Sequence, residues 1–89
     1  MVEEYYFCLY IAGKVNPNSR RAINNLRRLL AEQPHMRYTL EIVDVLENPD
    51  RAEADKIKAT PTLEWRFGQQ RGRLVGDFSQ TEKLASLFR

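Results

Sequence analysis

"KIKATPTLEW", Lys56 to Trp65, contains the change of rhythm that decides the fold. A short stretch of helical character stops at Ala59-Thr60-Pro61. Directly after it, Leu63, Trp65 and Phe67 alternate with Glu64 and Arg66, the period of a strand with one apolar and one charged face. Pro61, with a threonine on either side, is the junction.

Upstream of this junction, "ENPDRAEADKIKA" opens with Asn48 and Pro49 in cap and first-turn positions. Its acids come early and its lysines late, an order that complements the helix dipole. Before it, "RYTLEIVDVL" (Arg37 to Leu46) alternates Tyr38, Leu40 and Ile42 and becomes continuously apolar around Val43 and Val45, which predicts a strand. Further upstream, "SRRAINNLRRLLAEQ" places Ala22, Ile23, Leu26, Leu29 and Leu30 at helical spacing, with Asn16 as N-cap, Pro17 in the first turn and Pro34 as terminator. "YYFCLYI" (Tyr5 to Ile11) is an unbroken apolar run, the pattern of a central strand buried on both faces. Downstream, Gly68 and Gly72 bracket a hairpin turn, with Leu74 and Val75 in the returning strand. Ser79 and Glu82 have capping-box spacing ahead of a helix carrying Leu84, Leu87 and Phe88. The order is βαβαββα: one α/β domain over residues 1–89, with a four-stranded mixed sheet and helices on its faces, as in thioredoxin-like domains. The β-α-β crossover should be right-handed.

The bulk numbers remove several functions. A chain of 89 residues with 43% hydrophobic and 29% charged residues is an ordinary globular domain, and no apolar run is long enough to span a membrane. The N-terminus is acidic and shows no secretory pattern, and the one cysteine fits a reducing, cytoplasmic compartment. Net charge is only +2, although ten of the fourteen basic residues are arginine. That bias favours carboxylate contacts at a protein interface over nucleic-acid binding. No metal-ligand spacing, phosphate loop or nucleophile–base pair occurs, so neither a metal nor another cofactor is expected. Cys8, inside the first strand, reads as a small core residue. His35 sits alone in a turn, Asp44 ends a strand, and Trp65 is expected in the core. Arg20, Arg21, Arg27 and Arg28 form a stripe on the first helix, either a solvated face or an interface with an acidic partner.

The Ala-Thr-Pro-Thr-Leu run resembles the cis-proline loop of thioredoxin-like enzymes. The Cys-x-x-Cys that faces this loop there is replaced here by Asn16-Pro17-Asn18-Ser19. More specifically, "LYIAGKVNPNSRRAINNL", "LEIVDVLENPDRAEADKIKATPTL" and "RLVGDFSQTEKL" resemble the KaiB circadian clock family. The resemblance implies a non-catalytic protein that docks on a KaiC-type ATPase, with KaiA or a SasA-like histidine kinase as further partners. It also implies a resting dimer or tetramer with an alternative βαββααβ arrangement. An alternative within the same resemblance is a sensor module acting on a histidine kinase or in stress response. Tyr5, Arg21, Lys56, Lys58 and Arg73 are the partner-facing residues it suggests, with Pro61 as the cis-proline of the switching half; the alternative reading of Lys58 is a charge that only caps the second helix electrostatically. The stretch "RFGQQRGR" stands where cyanobacterial members carry a proline run.

Overall fold

The computed structural model describes residues 4–79. Their elements run β1 (Tyr5–Ile11), α1 (Pro17–Ala31), β2 (Tyr38–Asp44), α2 (Pro49–Ala54), β3 (Thr62–Phe67) and β4 (Gln70–Val75). The sheet order is β2-β1-β3-β4. β1 pairs parallel with β2 and antiparallel with β3, and β3 pairs antiparallel with β4. This is the expected βαβαββ order and mixed sheet. The residues expected in the last helix lie outside the described residues.

Each element follows from its local chemistry. Asn16 caps α1 by accepting from the Asn18 N–H at 2.9 Å, and Pro17 fills the first turn, where no N–H is needed. Ala22, Leu26, Leu29 and Leu30 then bury one stripe of the helix. The helix stops at Ala31, three residues before Pro34. The Glu32 and Gln33 N–H groups tighten onto the Leu29 and Leu30 carbonyls at 3.2 and 3.0 Å.

Strand alternation sorts β1 into two cores. Phe7, Leu9 and Ile11 face α1 and bury against Ala22, Leu26, Leu29, Leu30, Leu63 and Phe78. Cys8 and Tyr10 face the other way, with Val43, and pack against Tyr6, Val45 and Ile57 on the α2 side. β1 is buried on both faces because it is central and helices lie over both.

The junction behaves as its sequence suggests. Thr62 begins β3, and the Thr60–Pro61 peptide is cis. Gly72 is a correction. It does not bracket the turn, which is formed by Gly68 and Gln69; it lies inside β4 opposite Trp65. The half-buried Trp65 indole covers it so closely that a Cβ there would sit 2.8–2.9 Å from the ring.

Candidate docking surface

The parallel β1–β2 crossover brings several loops to one end of the sheet. The C-terminal end of β1, the start of α1, the end of α2 and the start of β3 all meet there. Asp44, at the end of β2, ties the β1–α1 connection to the β2–α2 connection: one carboxylate oxygen accepts from the Gly13 and Leu46 N–H groups, each at 3.0 Å. On the far side, the Gly76 N–H donates to the Pro61 carbonyl at 2.9 Å.

Arg21 and Asp77 meet at this end. The Arg21 Nε donates to Asp77 Oδ2 at 3.0 Å, and the same guanidinium also bonds Asn18. The Asn25 amide holds the Asp77 carbonyl at 2.9 Å. The Ser79 backbone N–H, then the Ser79 side chain and Arg21, pull the Asp77 carboxyl below its ordinary pKa.

Lys56 occupies an unusual backbone site. α2 ends in a Schellman motif: the Ile57 N–H bonds the Ala52 carbonyl at 2.9 Å, and the Lys56 N–H bonds Glu53 at 3.1 Å. This puts Lys56 at φ 58°, the left-handed region where glycine is the usual residue. Arg73 braces it from the sheet. Its guanidinium donates to the Lys56 carbonyl at 3.3 Å and to the Asp55 carbonyl, and pairs with Glu64 at 2.8 Å. Arg73 therefore supports Lys56 through carbonyls that α2 leaves unbonded. The helix ends at Ala54, so Lys58 lies four residues beyond its last residue. Lys58 lines a shallow cleft of about 220 Å³ with Val45, Ala52, Ile57, Ala59 and Thr60.

Tyr5 is not brought to this group. It begins β1 at the opposite end of the sheet, half-buried and stacked on Phe67 at 4.3 Å and on Phe7 at 5.5 Å. Six residues of strand put it roughly 20 Å from the Ile11 end.

Sequence reading missed the polar layer under α2. Arg51 clamps Glu41 with two bonds of 2.6 and 2.7 Å and approaches Cys8 Sγ at 3.8 Å. Tyr6 donates to Glu41 at 2.6 Å, and Tyr10 to Asp55 at 2.5 Å. Arg51, then Tyr6, hold the Glu41 carboxyl down to about 2. The bond to Glu41, then burial, raises the Tyr6 hydroxyl, while burial first and Asp55 second raise that of Tyr10. Burial pushes the Cys8 thiol up, leaving a neutral thiol that is 1% exposed and unsuited to nucleophilic work. The signal was present in sequence: two tyrosines on one face of a buried strand need hydroxyl partners.

A four-stranded mixed sheet with a cis-proline loop defines a thioredoxin-like domain, and the single cysteine of this chain cannot supply the Cys-x-x-Cys pair of thiol exchange. Solved structures agree on the fold. The N-terminal domain of Synechococcus elongatus SasA superposes with a TM-score of 0.79 at 20% identity, covering 99% of this chain and 82% of that one. Fasciola hepatica thioredoxin gives 0.71 at 16% identity, over 97% of this chain and 82% of that one. The KaiB domain model matches residues 8–89, and the chain belongs to the KaiB family. The circadian clock oscillator protein KaiB of Prochlorococcus marinus is 45% identical over 80 residues, 90% of this chain and 74% of that protein. Its counterpart in Microcystis aeruginosa is 44% identical over 80 residues, 90% of this chain and 76% of that protein.

Proposed function

We propose that this chain is a non-catalytic regulatory binding protein of a KaiC-type ATPase clock or timing system. It docks on the KaiC ring from the Pro61 end of its sheet and modulates the ring's phosphorylation or output. The relatives named above are circadian clock oscillator proteins, which supports a clock role. The observation that carries the docking site is Lys56. A glycine would satisfy its backbone at lower cost, so a lysine there points to a use for the side chain. Arg21 and Lys58 lie at the same end and offer further charge to an acidic partner surface. Arg73 is a positioning residue, and Tyr5 falls outside this face. The lone buried Cys8 supports binding over thiol exchange in a reducing cytoplasm.

Co-purification with the host KaiC, in ATP and separately in ADP, tests the proposal. Capture is expected in at least one nucleotide state and should be lost with Lys56→Glu. No capture in either state would overturn the reading.

A further inference from the structure

The outer edge of β4 carries two features that belong together. The first is its backbone. Gly68, at φ 62°, takes the first central position of a two-residue hairpin loop, as in a type II′ turn. Such a loop closes on a hydrogen-bonded pair, here Phe67 and Gln70, and bonded pairs then alternate along the ladder. The Gly76 to Pro61 bond falls on the same alternation. The pairs Arg66–Arg71, Glu64–Arg73 and Thr62–Val75 are therefore the non-bonded ones. The N–H and C=O groups of Arg71, Arg73 and Val75 point away from β3, and among the described residues β4 is the last strand of the sheet.

The second feature is charge. The same three residues project their side chains onto the α2 side of the sheet. Arg73 is already paired with Glu64. Arg71 stands directly opposite Arg66, in the pair type that brings side chains closest, where like charges are unfavourable. Arg66 lies over the Tyr6 ring at 4.6 Å, and no carboxylate among the described residues pairs with Arg66 or Arg71. Val75, at the other end of the edge, is 67% exposed.

We propose that this edge takes an extended acidic segment of a partner protein as a fifth strand. The segment hydrogen-bonds the outward backbone of Arg71, Arg73 and Val75. It sets a carboxylate against Arg71 and, four residues along, an apolar side chain against Val75. A second copy of β4 does not fit the role. "QRGRLV" contains two arginines and no acid, so self-pairing would oppose arginine with arginine or valine and gain no ion pair. The edge is thus guarded against its own kind and open to an acidic strand. This inference does not depend on the ring-docking reading.

The test uses the 15N-labelled full chain and two synthetic heptapeptides, one placing glutamate four residues before valine in a threonine background and one in reverse order. Expected is saturable binding of at least one peptide, with amide-exchange protection at Arg71, Arg73 and Val75. Arg71→Ser should weaken that binding at least five-fold. Val75→Pro removes an outward N–H without touching the β3–β4 ladder and should abolish binding while the native amide spectrum persists elsewhere. Three outcomes would overturn the proposal: no protection on β4, equal binding of the peptide with lysine in place of glutamate, or no peptide binding where an oligothymidylate perturbs Arg66 and Arg71.

Discussion

Replacing Lys56 by glycine separates what the fold prefers from what the surface requires. Lys56 sits at φ 58° in the Schellman motif that ends α2. A left-handed backbone costs a residue with a Cβ about 1–2 kcal/mol. Glycine escapes that cost, but its freedom in the unfolded chain returns about 0.5–1 kcal/mol. The net expectation for Lys56→Gly is a gain of about 0.5–1 kcal/mol in stability. The carbonyl that Arg73 holds is unchanged, so the bracing survives. Urea unfolding followed by circular dichroism should show the midpoint rising with an unchanged slope. Binding to the host KaiC should weaken in the same variant by about 2 kcal/mol or more if the lysine is a hot spot. A drop in stability would refute the backbone argument. Greater stability with undiminished binding would refute the assignment of Lys56 to the interface.

Gly72→Ala should destabilise by about 1–3 kcal/mol, because its methyl group would have to displace the Trp65 indole; the shift should appear in the fluorescence of the chain's single tryptophan and should vanish in a Trp65→Ala background. Cys8→Ser should cost about 1 kcal/mol, the low end for a buried hydroxyl, since Arg51 lies close enough to serve as a partner; calorimetry measures this, and KaiC binding should be unaffected. The Glu41 carboxyl titrates at about 2 when folded against an ordinary 4.5, so its contribution is full above pH 4.5 and is lost as pH falls toward 2. Glu41 and Arg51 are both more than a third exposed, so the loss should be about 1 kcal/mol or less and shrink with salt. Glu41→Gln should flatten the acid limb of the stability profile.

The parts of this fold that were legible are those written in local periodicity. The apolar run of β1, the Asn16 cap and the alternation through Trp65 each state their element within a few residues. Lys56 was harder: a lysine at the helix-terminating position hides a Schellman motif that a glycine would have announced. Gly72 was misplaced because two glycines four residues apart look like a turn, and only strand register shows an indole lying on the second. Arg51 and Glu41 are ten residues apart, and their clamp exists only once α2 folds back over β2. The position of Tyr5 depends on which end of the sheet the crossovers reach, which no single element encodes.

The two sides of the sheet differ in what holds them, and so in what weakens them. The α1 side is aliphatic and aromatic, and its contribution fades on cooling because apolar hydration carries a large heat capacity. The α2 side has a small apolar centre ringed by guanidinium–carboxylate and tyrosine–carboxylate bonds, several of them open to water. That side answers to ionic strength, with a screening length of about 8 Å under physiological salt. One strand, β1, belongs to both. A change of temperature and a change of salt thus reach it from opposite faces, and the Lys56 turn, standing on the salt-sensitive side, shares the ionic environment of any charged partner.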